Sequence, residues 1–559
     1  MPLLGMCATQ RIPDTQSRLF APLPGPPGCP PDREYTSCRM GRGTRLARGG
    51  APAHCEHAGA GNGNSGLSKV RAILKDRGEP LGNELIQISH AGTPLPRETR
   101  PQELAPRVEP AAAASGKTFY IETFGCQMNV HDAEKVAGTL MARGYRPVET
   151  HDEADLILYN TCSIREKAAE KVFSRLGTLK KVYRNNPKVI GVLGCVAQQE
   201  GERIFERAPQ VSLVCGSASY TRLPDLLEQL EAGNRRVTGL DLDTDECFET
   251  ELTRRDNPIR AYLTIIEGCD QRCSFCVVPA TRGPERSRPS GKILAECRRL
   301  VDDGYTEIQL LGQIVNAWED ASPARRSFAE LLGRVAEVPG LRRVRFTTSH
   351  PRYFTPEIVQ AIESHPVLCD QIHLPVQSGS TRVLSRMLRG YSREEYLAKI
   401  DCIRRAKRAI SISTDIIVGF CGEAMEDFEQ TMTLLDAVEY DQVFSFKYSP
   451  RPKTAAAGFA DVVPEEEKGR RLSALQEHQR QIQLRRNQAA VGHTFEVLVE
   501  SFQPRLGQAV GRTTSNRVIN FPGAPEWVGR YFHVRVSAAG PNSLVGVRAD
   551  QADAGGRTP

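Results

Sequence analysis

The chain has 559 residues, of which 40% are hydrophobic and 25% charged, and its formal net charge is +6. This length predicts two to four domains with well-packed cores. No apolar run reaches the roughly 18 residues that a membrane-spanning helix needs, and the opening residues lack the apolar core of a signal peptide. Sixteen cysteines that are not evenly paired favour a reducing compartment over a disulfide scaffold. We therefore expect a cytoplasmic protein with no membrane partner.

The first 115 residues differ in composition from the rest of the chain. They are rich in Gly, Pro, Ala and Arg, as in APLPGPPGCPP and GAGNGNSG, and they show little hydrophobic periodicity. Such segments cannot bury enough apolar surface to fold. We predict a mostly disordered, low-complexity extension over residues 1–115, whose four cysteines lack metal-ligand spacing.

Residues 116–235 alternate between strand and helix patterns, which indicates a parallel α/β domain. The four predicted strands are TFYIETFG, DLILYNT, VIGVLG and VSLVCG. Cys126, Cys162 and Cys195 each come directly after one of the first three strands. Because ligands of open parallel sheets sit beyond the carboxyl ends of the strands, we expect these three thiols to meet at one point. Three unrelated core cysteines are the alternative.

A second alternation, over residues 255–487, predicts six strands separated by helices. The strands are AYLTII, EIQLLG, RRVRFTTS, QIHLPV, ISTDIIVGF and QVFSFKYS. Six consecutive βα units suggest a partial (βα)6 barrel, in which the chemistry lies at the carboxyl ends of the strands. Polar and Gly-rich segments follow each strand, as this rule expects. His350, after the third strand, is either a substrate contact or a structural histidine.

The string EGCDQRCSFC, after the first barrel strand, holds Cys269, Cys273 and Cys276 with the spacing C-x3-C-x2-C. Three thiolates can ligate three irons of a cubic iron–sulfur cluster and leave the fourth iron open for chemistry. A structural zinc site would need four closed ligands, and no fourth Cys or His lies near in the sequence. Three ordinary buried thiols are the alternative.

Residues 490–552 contain short β patterns punctuated by Gly, Pro and Asn, which predict a small β-barrel. From Lys468 to Arg548 the chain has twelve Lys and Arg, four Glu and no Asp, a net charge of +8. The rest of the chain therefore sums to −2. A basic module on a near-neutral body suggests a polyanionic partner such as nucleic acid, and a solvated Arg-rich surface is the alternative.

The cysteine string resembles the signature of the radical-SAM superfamily. The architecture from Lys117 to about Arg548 resembles the methylthiotransferases, which join an N-terminal domain with three cluster cysteines to a radical-SAM barrel and a C-terminal TRAM domain. Within them the match is nearest to the MiaB-type tRNA enzymes. The strings that carry the resemblance are TFGCQMNVHDAE, YNTCSIREKAAEKV, GVLGCVAQQEGE, TTSHPRYF, HLPVQSGS, RMLRGYSREEY, FKYSPRPKTAAA and GRTTSNRVINF.

The resemblance implies two 4Fe–4S clusters, one on Cys126, Cys162 and Cys195 and the other on Cys269, Cys273 and Cys276. It also implies S-adenosylmethionine (SAM) as cofactor, a reducing donor such as flavodoxin or ferredoxin, and the anticodon loop of tRNA as partner. The implied reaction is radical methylthiolation of C2 of N6-isopentenyladenosine at position 37. Candidate cofactor contacts are Phe275, Gln313, Gly419 and Glu423, and candidate RNA contacts are Arg451, Arg512 and Arg517.

Four segments depart from the family pattern: Ile314 replaces an Asn, Cys421 a Pro and Lys453 a Gly, and TTSHP stands where the pattern has TSPHP. None of them removes a cluster ligand. Two related reactions stay open as alternatives, methylthiolation of threonylcarbamoyladenosine in tRNA and of a ribosomal protein, although the basic C-terminal module argues against a protein substrate. A non-enzymatic RNA-binding protein with structural or redox-sensing clusters is a further alternative.

Overall fold

The computed structural model describes residues 116–163, 166–183, 188–242, 247–249, 253–320, 322–323 and 325–552. The extension predicted over residues 1–115 lies outside them. The described chain forms a parallel α/β sheet, a partial barrel and a small closed β-barrel, which confirms the expected fold class. No helix within these residues combines the length and the apolar character that crossing a bilayer requires.

The N-terminal sheet has six parallel strands in the order β2-β1-β3-β4-β5-β6. The strands LILYNT and VIGVLG at its centre are buried along almost their whole length, as expected where helices cover both faces of a parallel sheet. The strands are β1 Thr118–Phe124, β2 Arg146–Pro147, β3 Leu156–Thr161, β4 Val189–Gly194, β5 Leu213–Cys215 and β6 Val237–Gly239. The helices are α1 Gln127–Ala142, α2 Glu166–Val182, α3 Cys195–Glu200, α4 Arg203–Arg207 and α5 Leu223–Glu231.

Two features of this sheet differ from the sequence-based expectation. Strands β2 and β6 were not expected, because two or three residues are too few to show a period-2 pattern. The single helix expected after β4 is split in two at Gly201, which has a φ of +57°. A left-handed residue cannot continue an α-helix, so the chain turns there and restarts.

The partial barrel contains all six predicted strands, arranged as two three-stranded parallel sheets with the orders β11-β10-β7 and β12-β13-β14. A parallel bridge between Val344 and Leu368 joins the two sheets. The strands are β7 Arg260–Thr264, β10 Glu307–Leu311, β11 Arg343–Phe346, β12 Gln371–His373, β13 Ser411–Val418 and β14 Gln442–Lys447, and a short antiparallel ribbon is formed by β8 Ile266–Glu267 and β9 Arg286–Ser287.

Amphipathic helices cover the outer face of the partial barrel. Two of them begin with capping boxes, at Ser327 with Glu330 and at Ser392 with Glu395, and these reciprocal bonds fix where each helix starts. The helices are α6 Val278–Arg282, α7 Ser290–Asp302, α8 Phe328–Ala336, α9 Pro356–Ser364, α10 Thr381–Arg386, α11 Arg393–Arg404, α12 Met425–Val438 and α13 Glu465–Gln488.

The C-terminal strands close into a five-stranded barrel in the order β15-β16-β17-β19-β18. This barrel packs on the amino ends of the partial-barrel strands. Arg343, the first residue of β11, donates to the carbonyl oxygens of Arg512 and Glu496, both at 2.8 Å. Ser411, the first residue of β13, donates to the carbonyl oxygen of Ser515 at 2.9 Å. The strands are β15 Thr494–Gln503, β16 Gln508–Arg512, β17 Val518–Pro522, β18 Tyr531–Ala539 and β19 Leu544–Arg548, and a short helix, α14 Ala549–Ala552, follows.

Candidate active site

Three cysteines of the N-terminal sheet lie at one edge because the strands that precede them end in register. Phe124 pairs with Thr161, and Thr161 pairs with Gly194. Cys162 and Cys195 are buried, and Cys126 is half-buried at the N-terminal cap of α1. Contact with the Cys162 thiol lowers the pKa of Cys126 to about 6. We call these three residues the N-terminal trio.

The glycines that precede Cys126 and Cys195 leave no room for a side chain at their own positions. A Cβ on Gly125 would lie 2.8 Å from the Cβ of Cys162, and a Cβ on Gly194 would lie 2.4 Å from Oδ1 of Asn160. Gly194 also has a φ of +89°, which disfavours other residues. Glycine before two of the three cysteines therefore lets the thiols approach one another.

The string GCDQRCSFC forms a tight loop after β8. We call its three cysteines, Cys269, Cys273 and Cys276, the loop trio. The backbone N–H of Cys276 donates to the carbonyl oxygen of Cys273 at 3.0 Å. Burial raises the pKa of Cys269 to about 12 and that of Cys276 to about 11. Arg389 donates to Sγ of Cys273 at 3.3 Å. Because thiolates are the metal-binding form, loading this loop with metal must release protons.

The donor sets of both trios fit a cluster better than a single ion. Within the described parts of the chain, no three Cys, His, Asp or Glu side chains are close enough together to hold one metal ion. A cubic cluster does not require the three sulfur atoms to converge on one ion, because each thiolate ligates a different iron atom. Three thiols in each trio would leave one iron of each cluster without a protein ligand.

The two trios are neighbours in space. Helix α6 begins two residues after Cys276 and packs against α3, which begins with Cys195. Burial raises the pKa of Cys276, and the nearby thiol of Cys195 raises it further. A site assembled from both trios therefore spans the boundary between the N-terminal sheet and the partial barrel.

Three of the four predicted cofactor contacts lie in one region beside the loop trio, namely Phe275, Gly419 and Glu423. The ring of Phe275 packs edge-on against Phe420 with 6.4 Å between centroids. The buried carboxylate of Glu423 accepts from the backbone N–H of Gly419 at 2.9 Å and from Arg471 at 2.7 Å. Glu423 thus holds the turn after β13 in shape. The fourth, Gln313, follows β10, and direct contact of any of the four with a cofactor stays a prediction.

The predicted RNA contacts fall at two ends of the partial barrel. Arg512 donates to Glu500 at 3.0 Å, and Arg517 donates to Asp441 at 3.0 Å, both where the C-terminal barrel meets the amino ends of the strands. Arg451 follows β14, at the same carboxyl edge as the loop trio. The Arg517–Asp441 ion pair joins the C-terminal barrel to the partial barrel, whereas the Arg512–Glu500 pair lies within the C-terminal barrel. Contact of either arginine with RNA stays a prediction.

The departures from the family pattern have distinct surroundings. Cys421 lies in an apolar cluster with Phe420 and Met387, and burial raises its pKa, as expected for a small core residue. Ile314 is buried. Lys453 adopts a φ of +65°, so a side chain occupies a left-handed position where the family pattern has the glycine that such a position favours.

A set of buried polar atoms lies at the carboxyl ends of the barrel strands, and the sequence indicates two of its members, Gln313 and His350, as candidate contacts, but not Thr264 or Ser349. None of these atoms has a hydrogen-bond partner among the residues described. Such groups are rare in native proteins and often mark a place where a ligand binds. The only signal in the sequence was the polar character of the segments after the strands. The atoms are Oγ1 of Thr264, Oε1 of Gln313, Oγ of Ser349 and Nε2 of His350.

His350 is the most constrained member of this set. Its Nδ1 accepts from the backbone N–H of Arg352 at 3.1 Å, so the ring proton is on Nε2. The amide of Asn316 binds both backbone groups of His350, at 2.8 and 3.0 Å. Burial, together with Arg389 and Arg352, lowers the pKa of His350 to about 2. The side chain therefore presents one neutral N–H donor at every physiological pH.

We expect His350→Phe to lower kcat/KM for the reaction at this site by about 2- to 10-fold, the value of one neutral hydrogen bond. The phenyl ring keeps the packing and removes only the donor. Because His350 is neutral far above its pKa, the loss should be the same from pH 6 to pH 9. Steady-state rates across this range test the point, with His365→Phe, which alters a histidine at the end of α9, as control. An effect that changes with pH would contradict the neutral-donor role.

Comparison with known proteins agrees with this arrangement. Residues 118–216 match the family model described as uncharacterized protein family UPF0004, residues 263–435 match the Radical SAM superfamily, and residues 488–547 match the TRAM domain. Among solved structures, the radical SAM methyltransferase TsrM from Kitasatospora setae aligns over 61% of this chain and 75% of its own, with 14% identity and a TM-score of 0.47.

Curated relatives match most of the chain. A protein of Solibacter usitatus named tRNA-2-methylthio-N(6)-dimethylallyladenosine synthase is 63% identical over 441 residues, which cover 78% of this chain and 99% of the relative. A protein of the same name from Koribacter versatilis is 57% identical over 436 residues, covering 77% and 98%.

Proposed function

Because the chain belongs to the family of tRNA-2-methylthio-N(6)-dimethylallyladenosine synthases, we propose that it transfers a methylthio group to C2 of N6-dimethylallyladenosine (N6-isopentenyladenosine) at position 37 of tRNA. The observation that carries this proposal is the 63% identity over nearly the full length of the Solibacter relative. The two cysteine trios, side by side where the N-terminal sheet meets the partial barrel, agree with it, because such a reaction needs a radical centre and a sulfur centre close together.

The match to the Radical SAM superfamily implies one 4Fe–4S cluster and SAM. We propose that the loop trio holds this cluster and that the N-terminal trio holds a second. When bound, these groups supply a 5′-deoxyadenosyl radical, the sulfur and the methyl group. A radical is needed because the C2–H bond of adenine is not acidic, so no positioned base among the side chains described here would remove that hydrogen usefully.

The protein side chains hold and shield the reacting groups. Arg389 binds the loop trio through Cys273, and its Nε donates to the hydroxyl of Tyr391 at 3.0 Å. Gln271, inside the trio, donates to the hydroxyl of Tyr353 at 2.6 Å. Both tyrosine rings flank His350, at 5.7 and 5.9 Å. These contacts fix the loop, while the His350 N–H offers a fixed donor to the bound reactants.

tRNA is the substrate that the family name implies, and the TRAM match and the basic C-terminal module support it. Exposed arginines of the C-terminal barrel, such as Arg505, Arg530 and Arg535, suit salt-dependent contacts with phosphates. A base in an anticodon loop can be splayed out of its stack into a pocket. For the electrons that SAM cleavage consumes, we propose a flavodoxin or ferredoxin as donor.

Nucleoside analysis of tRNA from a strain that lacks this protein tests the function. We expect N6-dimethylallyladenosine to accumulate and its 2-methylthio form to disappear, and both effects to be reversed by the gene in trans. Unchanged methylthio-dimethylallyladenosine with a loss of methylthio-threonylcarbamoyladenosine would move the substrate to the related tRNA base. If a ribosomal protein lost the modification instead, the tRNA substrate would be refuted.

A further inference from the structure

A buried arginine from the partial barrel reaches the N-terminal trio. Arg282 is the last residue of α6 and is only 6% exposed. Its Nη2 donates to Oδ2 of Asp132, on α1, at 2.6 Å. Asp132 is 1% exposed. Since α1 begins directly after Cys126 and α6 packs on α3, which begins with Cys195, this ion pair lies beside two of the three thiols.

The charge of Arg282 acts on these thiols. Burial alone would lower the pKa of Arg282, but Asp132, Cys195 and Cys126 raise it well above its usual value. Three thiolates around a cluster concentrate negative charge in a site of low dielectric constant, where a nearby cation has a strong effect. Arg282 is therefore placed to balance that charge.

Asp132 limits this effect. Burial raises the pKa of Asp132, and Arg282 opposes the rise. An ionised Asp132 cancels part of the field of Arg282 at the trio. The pair therefore places two opposite charges beside the same thiols, and changing either one moves the local potential in a different direction.

We propose that Arg282 and Asp132 together set the reduction potential of the cluster held by Cys126, Cys162 and Cys195, so that a site on the N-terminal sheet is completed by a residue of the partial barrel. This inference rests on the second cluster of the proposed function. Nearby charge is one of the means by which proteins tune such potentials. Arg282 is a positioning residue in this role, since it acts through the field at the thiols.

Potentiometry of the reconstituted full-length protein, followed by electron paramagnetic resonance, tests the proposal. The couple of the N-terminal cluster is assigned as the one that persists when Cys269, Cys273 and Cys276 are replaced by alanine. We expect Arg282→Gln to shift this couple to more negative potential and Asp132→Asn to shift it to more positive potential. Arg282→Lys, which keeps the charge, should lie near the wild type.

A matched pair provides the control. Arg486 donates to Asp441 at 2.9 Å at the amino end of β14, so Arg486→Gln and Asp441→Asn should leave the couple in place. Shifts of the same sign in the two test variants, no shift, or loss of iron from both would overturn the proposal and leave the pair a purely structural role. Absence of any persisting couple, with no iron on the triple variant, would instead refute the second cluster itself.

Discussion

Replacement of Cys269, Cys273 and Cys276 together by alanine is expected to abolish SAM cleavage and to leave about half of the iron bound, because each trio would hold one cluster of equal size. SAM needs an open iron for activation, and of the two trios only the loop trio lies within residues 263–435, which match the Radical SAM superfamily. The N-terminal trio lies on another sheet and should load independently.

Anaerobic reconstitution followed by iron analysis and detection of 5′-deoxyadenosine measures both effects. Cys402→Ala, at a half-buried cysteine on α11, serves as the control and should keep all of the iron and all of the cleavage. The reciprocal variant, with Cys126, Cys162 and Cys195 replaced, should keep SAM cleavage and lose sulfur transfer. Retention of SAM cleavage in the first variant would show that the radical centre is elsewhere.

Glu307→Gln is expected to destabilise the protein by about 3–5 kcal/mol at pH 7, the usual cost of leaving a buried charge without its partner. Glu307 is fully buried and forms ion pairs with Arg260, Arg345 and Arg343. Without the carboxylate of Glu307, Arg345 would lose its carboxylate partner, while Arg260 and Arg343 would keep only their ion pairs with Glu500 and Glu496. Arg343 also holds the C-terminal barrel, so we expect that barrel to detach first.

The pH dependence of this effect has a definite sign. Burial alone would raise the pKa of Glu307, but the three arginines overcome it and lower the pKa from 4.5 to about 2. A lowered folded-state pKa gives stability that is present above about pH 4.5 and lost as the pH falls towards 2. The difference in thermal midpoint between wild type and Glu307→Gln should therefore narrow below pH 5. Glu337→Gln, at an exposed residue, is the control. A difference in thermal midpoint between wild type and Glu307→Gln that stays constant with pH would contradict the ion-pair account.

The features that a short sequence pattern determines were predicted well. The six barrel strands and strands β1, β3, β4 and β5 of the N-terminal sheet lie in apolar segments that a strand pattern reveals. The three cysteines after β1, β3 and β4 lie at one edge because parallel strands in register end together. Strand order within each sheet, in contrast, depends on which apolar faces pack, and a single sequence does not reveal it.

Electrostatic contacts between distant segments were not predictable. Arg282 and Asp132 are 150 residues apart, and nothing in either segment indicates the other. The string GRTTSNR predicts RNA contacts at Arg512 and Arg517, but it does not reveal that they form ion pairs with Glu500 and Asp441. Whether an arginine faces solvent or a buried carboxylate is decided by packing, which the local sequence does not encode.

The C-terminal barrel sits at the opposite end of the strands from both cysteine trios. A barrel strand is about 17–20 Å long, so any phosphate held by the exposed arginines of that barrel lies several nucleotides away from the base that reacts. The length of the partial barrel would then determine which nucleotide of the proposed tRNA substrate reaches the reaction centre. Adding or removing a base pair in the anticodon stem would bring the wrong nucleotide to the reaction centre, even with the loop sequence unchanged.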